Sequence, residues 1–265
     1  MTTRKTTIVL ILSFLSTLLF AHEFWLEPQK FILKVGEKIG FRLFVGEDYH
    51  GEKVDFTKFK VEKFTHYTPE TERNLSGNLT EQQVADFLKF DTEGNHLIAF
   101  NNSNKFIELE PKKFNDYLVG EGLESILELR KERNQLETKG REEYQRCAKT
   151  LLQVGKKHSD NYKTNTGMRL ELIPDVNPYE SKNKQLVFQV LFDNQPLKNA
   201  LVLVWHKNKS NLTTHKKYRT DTDGKMRFSF TKKDRYMVST VQMVEHTDKQ
   251  KADWQSYWGS YTFGF

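Results

Sequence analysis

From about His22 to Leu109, apolar residues recur at every second position in short runs broken by turn residues. Phe31, Leu33 and Val35, then Phe41, Leu43 and Val45, then Phe59 and Val61 continuing to Lys63, each set one side chain in two on a common face, the period of half-buried β-strands. Gly36-Glu37-Lys38 offers a turn between the first two runs, and Gly46-Glu47-Asp48 closes the second. Asn95–Phe100 and Lys105–Leu109, flanking the polar residues 101–104, predict a β-hairpin. A short helix is expected from Glu81 to Phe90, with Thr80 as its cap and Gln83 three residues on.

The period changes at Pro111. Phe114, Tyr117 and Leu118, then Leu123, Ile126, Leu127 and Arg130, fall at three- and four-residue steps amid Glu, Lys and Arg. Tyr144, Cys147, Ala148, Leu151 and Leu152 repeat that spacing, so a second helix is expected over 141–154, with Gly140 separating the two as a helical hairpin. Residues 156–167 are polar and read as a linker. The two-residue period then returns in 168–172, 185–192, 200–205, 226–230 and 236–244, with Asp223-Gly224 as a hairpin turn. The last strand, 254–263, is rich in Trp and Tyr.

This pattern predicts a mainly β protein: two β-sandwich modules, immunoglobulin-like or transthyretin-like, with a helical hairpin between them. The expected division is a leader over 1–21, an N-terminal sandwich over 22–112, the helical hairpin over 113–157 and a C-terminal sandwich over 158–265. Uneven strand spacing and two helices argue against a membrane barrel.

The leader carries Arg4 and Lys5, an apolar run from Thr7 to Phe20 and the small Ala21 at its end, the three parts of a secretory signal peptide. The run is too short for a spanning helix, which needs about 20 apolar residues. The expected location is therefore periplasmic or secreted, with no membrane span after cleavage. Removing the leader lowers the formal charge from +6 to about +4. So mild and dispersed a balance excludes a nucleic-acid partner. The lone Cys147 can form no internal disulfide, so packing must hold the fold; it reads as a small core residue rather than a nucleophile.

Cleavage after Ala21 would make His22 the first residue, with a free α-amine and an imidazole that together chelate a metal. Both groups deprotonate readily near neutral pH, and a further histidine would complete a nitrogen-rich site suited to copper, nickel or cobalt. The plainer reading is that His22 begins an exposed strand. His206, at the end of the strand 201–205, is the expected second ligand, and His246, after 238–244, the third. His50, His66, His96, His158 and His215 lie in turns or polar contexts and read as solvated. No HExxH, GxSxG or phosphate-loop motif occurs, so no catalytic residue is assigned. Trp254, Tyr257, Trp258 and Tyr261 suit either a sugar-stacking platform or sandwich packing.

Several blocks resemble the domain of unknown function 4198 family. They are His22-Glu23-Phe24-Trp25-Leu26-Glu27-Pro28, the stretch from Phe114 to Leu123, Gly140–Lys149, Glu171-Leu172-Ile173-Pro174 with Asn177-Pro178, Thr222-Asp223-Gly224, and Ala252–Trp258. The resemblance implies an exported β-protein with a helical insertion that binds a transition metal, nickel, cobalt or copper, and hands it to a membrane metal-uptake transporter. This chain has Val241-Gln242-Met243 where the family pattern reads Val-His-Met, which removes a ligand that His206 or His246 would replace. Two other readings stay open: a non-catalytic interaction module, and a copper-dependent oxidative enzyme built on a histidine brace.

Overall fold

The computed structural model describes residues 23–55, 58–78, 88–182 and 184–265. In chain order its strands are β1 (Glu23–Pro28), β2 (Ile32–Leu33), β3 (Glu37–Ile39), β4 (Phe41–Glu47), β5 (His50–Val54), β6 (Val61–Tyr67), β7 (Glu72–Asn74), β8 (Leu88–Phe90), β9 (Gly94–Asn102) and β10 (Lys105–Leu109). Two helices follow, α1 (Pro111–Gly120) and α2 (Glu124–Glu132). The chain continues with β11 (Gly140–Val154), β12 (Leu170–Pro174), β13 (Gln185–Phe192), β14 (Gln195–Pro196), β15 (Leu201–Lys207), β16 (Thr213–Arg219), β17 (Lys225–Ser229), β18 (Arg235–Glu245) and β19 (Trp254–Gly264).

A single sheet runs through the described residues in the order β16-β15-β18-β19-β11-β9-β6-β7, with β10 and β2 also paired to β11. Alternate residues of its central strands enter different cores, as the two-residue period of a strand requires. Cys147 and Leu151 of β11 join Leu97, Ala99, Val238, Tyr257 and Tyr261 beneath the sheet of β12, β13, β14 and β17. Their neighbours Ala148 and Leu152 pack with Phe24, Leu26, Phe41 and Leu43 of the β1-β4-β5 sheet on the opposite face. The helices cover the rest of that face, setting Phe114, Tyr117 and Leu118 against Val241, Met243 and Trp254.

The mainly β reading holds, and the C-terminal strands appear where alternation places them. Residues 141–154 are a correction: they form the 15-residue strand β11 at the centre of the sheet, not a helix. A strand buried on both faces is apolar at nearly every position, so its sequence also satisfies the helical spacing of Tyr144, Cys147, Ala148, Leu151 and Leu152. Gly140 does not divide two helices; it opens β11 where a Cβ would fall 2.1 Å from the Phe114 ring. β11 pairs parallel with β19 and antiparallel with β9, so the boundaries expected at 112 and 157 are crossed by one continuous ladder.

Two expected hairpins also resolve differently. β9 and β10 do not pair with each other: both run antiparallel to β11, β9 along its second half and β10 along its first. Asp223-Gly224 turns the chain, with Gly224 at φ 70, but it carries β16 of one sheet to β17 of the facing one. The expected helix at 81–90 falls largely outside the described residues, and its end, Leu88–Phe90, is strand β8. Cys147 is buried, and desolvation pushes its thiol up to about 12, as expected of a core residue. Among the described residues no helix is long and apolar enough to cross a membrane.

A carboxylate cluster at the start of the first strand

His22 lies outside the described residues; its covalent neighbour Glu23 is the first residue of β1, paired with Gly46 of β4. Gly46 in turn opposes Gly51 of β5, and one step outward Glu47 opposes His50. The two residues joining β4 to β5, Asp48 and Tyr49, both take positive φ, 53 and 58, the twist that a two-residue hairpin turn demands. Neither is glycine, so the turn carries backbone strain that burial must offset. Tyr49 supplies that anchor: it is fully buried against Trp25, ring centroids 5.3 Å apart. The result is a tight hairpin that holds Glu47, Asp48 and His50 beside the entry of β1.

A second carboxylate arrives from the helical segment. α1 is capped at its C-terminus by Glu121, whose N–H donates to the Tyr117 carbonyl at 3.0 Å, and Gly122 at φ 70 turns the chain against Leu201. Glu121 and Glu23 thereby line one small pocket with Phe24, Leu203, Thr240 and Trp258. Burial first, then Glu121, Asp48 and Glu47, raise the Glu23 carboxyl to about 8. Burial also raises Glu121 to about 7, with Glu142 adding to the effect and Lys217 opposing it.

Glu142 of β11 lies deeper, buried on the same side of the sheet. Its Oε1 accepts the Tyr117 hydroxyl at 3.2 Å and the Ser256 hydroxyl, while Trp258 Nε1 donates to Ser256 Oγ at 3.1 Å. Tyr117 stacks on Trp258, with centroids 5.8 Å apart and planes at 14°. Burial lifts Glu142 to about 7 despite these donors. Three carboxyl groups are thus held in a region where their charged forms are disfavoured, a setting that protons or a cation relieve. The sequence reading missed all three because nothing in spacing singles them out among 35 Asp and Glu. The one signal was Glu23 itself, standing directly before the apolar run Phe24-Trp25-Leu26.

The histidines proposed as partners of His22 are not brought together. His206 bonds Asp234 Oδ2 through Nε2 at 2.8 Å and stacks on Tyr236, with Thr214 Oγ1 3.4 Å from Nδ1. It follows Leu203 and Trp205, which pack near Trp25, so strand alternation turns it to the opposite face from Glu23. His246 is buried beyond the far end of β18, with Nε2 3.0 Å from Glu143 Oε2 and Nδ1 receiving the Asp248 N–H at 2.9 Å. His206 opposes Tyr236, ten residues before His246, which puts the two roughly 30 Å apart along β18. Gln242 shares its strand face with Tyr236 and Val238, away from Glu23 and Glu121. Among the described residues no three His, Cys, Asp or Glu side chains converge to hold a metal ion.

Two histidines read as solvated are buried. His66 Nε2 and His96 Nδ1 are 2.8 Å apart, and His96 Nε2 donates to the Thr92 carbonyl at 2.9 Å. Burial and the His96 ring depress His66 to about 3, so this pair is a neutral core element. His50, His158 and His215 are exposed as expected. The C-terminal aromatics pack inward: Trp254 with α1 and α2, Tyr257 and Tyr261 in the larger core.

A family model described as "Domain of unknown function (DUF4198)" matches residues 19–244. No curated protein matches. Among solved structures, a tetra-tandem repeat in the extending region of a large adhesion protein shares 6% identity over 92% of this chain and 49% of that one, with a TM-score of 0.20. The D0-D1 domain of Intimin shares 10% over 92% and 98%, with a TM-score of 0.19. Neither score supports an argument about function.

Proposed function

The chain belongs to the family of DUF4198 domains, and we propose that its role is to bind a transition metal ion, nickel, cobalt or copper, at the start of the mature polypeptide. In this reading the leader is removed after Ala21 during export to the periplasm or beyond. The amine and imidazole of His22 then chelate the metal as one bidentate residue. Glu23 and Glu121 supply carboxylate oxygens from the small pocket they line together. His206 and His246 are not part of this ligand set. A membrane metal-uptake transporter is the proposed recipient.

One observation carries the reading: Glu23, the neighbour of His22, sits where burial, Glu121, Asp48 and Glu47 all oppose its negative charge. A divalent cation placed there cancels that repulsion, whereas a merely structural strand start has no use for three acids around a half-buried one. The test is calorimetric titration of Ni(II), Co(II) and Cu(II) into the protein beginning at His22. Glu121→Gln is expected to weaken the preferred ion about tenfold, and His206→Ala and His246→Ala to leave it unchanged. Loss of binding on changing His206 or His246, with none on changing Glu121, contradicts the proposed ligand set.

A further inference from the structure

Arg146 is a cation without an anion. It lies on β11 with Trp258 as its cross-strand partner, and its guanidinium carbon is 4.7 Å from the centre of the Phe24 ring and 5.3 Å from that of Tyr144. Its Nη1 is shielded from solvent and has no hydrogen-bond partner. Lys105, opposite Tyr144 in the ladder, enters the same region: its ammonium sits 4.2 Å over the Phe59 ring and donates to the Lys58 carbonyl at 3.0 Å. Phe24 and Phe59 touch edge to face at 5.7 Å, so the two cations share one aromatic wall. Among the described residues, neither cation forms an ion pair with a carboxylate.

Both cations are half-buried, with the Arg146 Nη1 shielded, and a charge drawn from water without a counterion forfeits part of its hydration with nothing in return. A lysine escapes by losing its proton; a guanidinium cannot. Burial and the Arg146 charge do lower Lys105, but Arg146 keeps its positive charge. Among the described residues the Tyr144 phenol is the polar neighbour that favours that charge. Ring faces recover part of the cost and leave the Nη1 donor unsatisfied.

We propose that Arg146 and Lys105 form a binding site for a small oxyanion, a carboxylate or phosphate group whose adjacent oxygens span the guanidinium fork and the ammonium. The planar fork offers paired donors matched to such a group, and Lys105 adds a point charge beside it. Phe24, Phe59 and Tyr144 border the two cations with their ring faces. Neither cation belongs to the carboxylate cluster, although Phe24 borders both sites, so anion binding is expected of the metal-free protein as well.

The experiment is calorimetry at low ionic strength with chelator-treated protein, titrating inorganic phosphate in one arm and citrate in the other. One equivalent of at least one of the two is expected to bind, with a matching rise in melting temperature. A phosphate-only response assigns a phosphate group, and a citrate-only response a carboxylate. Arg146→Gln is expected to weaken binding at least tenfold and Arg146→Lys by less, whereas Lys216→Gln, on the exposed β16, changes nothing. Should Arg146→Gln fail to fold, Lys105→Gln replaces it with the same expected direction. No binding of either anion by the unaltered protein, or equal binding by the Arg146 and Lys105 variants, overturns the site.

Discussion

The Tyr117 hydroxyl donates to Glu142 Oε1 at 3.2 Å, linking helix α1 to the central strand through a carboxyl group that burial lifts to about 7. Such a donor favours the ionised form, so removing it weakens the fold more when Glu142 is charged. Tyr117→Phe is therefore expected to cost about 1 kcal/mol at pH 5 and more at pH 8. Urea unfolding at the two pH values measures both, and a cost independent of pH would show that Glu142 is not ionising in this range.

Glu23, Glu121 and Glu142 all have folded-state values above the ordinary 4.5, at about 8, 7 and 7. Between 4.5 and those values the folded protein holds protons that the unfolded chain has released. Stability of the metal-free protein therefore falls as pH rises from about 5 to 8. Glu142 alone contributes on the order of 3 kcal/mol to that change. The check is melting temperature against pH for the metal-free protein and for Glu142→Gln, whose curve is expected to be flatter.

His66 has the opposite sign. Its folded value, about 3, lies below the ordinary 6.5, so the unfolded chain takes up a proton that the buried ring refuses. Stability from this residue is complete above pH 6.5 and is lost as pH falls toward 3. Replacing it by Leu is expected to reduce proton uptake on acid unfolding by up to one, even where it lowers stability at pH 7. Acid titration followed by circular dichroism, with and without the substitution, reads the difference.

Lys149 and Glu171 form a buried ion pair that ties β11 to β12; Glu171 Oε1 also accepts the Thr166 and Met168 N–H groups at 2.9 and 3.0 Å. Breaking it from one side strands a charge in the core. Lys149→Met alone is expected to cost about 3–5 kcal/mol, and Lys149→Met with Glu171→Leu distinctly less. Denaturant unfolding of the two variants decides, and equal losses would contradict the pairing.

What the sequence made legible divides along burial. The C-terminal strands β13, β15, β17 and β18 were readable as strands from alternation and turn residues. β11 was not, because its Thr150-Leu151-Leu152 run is buried on both sides and leaves no polar face to mark the period. The partners of β10 and β17 were hidden for another reason: adjacency in sequence predicted hairpins, whereas long-range pairing with β11 and β13 prevailed. Of the cluster around Glu23, position in the chain pointed to residue 22 alone. Asp48 and Glu121 reach it through a strained hairpin and a helix end, which no linear spacing encodes. His206 and His246 looked equivalent as strand-end residues, yet they lie at opposite ends of β18, His206 beside its start on β15 and His246 just past its last residue.

The central claim is tested most directly by calorimetric titration of Ni(II), Co(II) and Cu(II) into two forms of the protein, one beginning at His22 and one with a single alanine before it. The account predicts one equivalent bound by the first form and at least a hundredfold weaker binding by the second, whose α-amine no longer belongs to the histidine. Equal affinities for the two forms would contradict it.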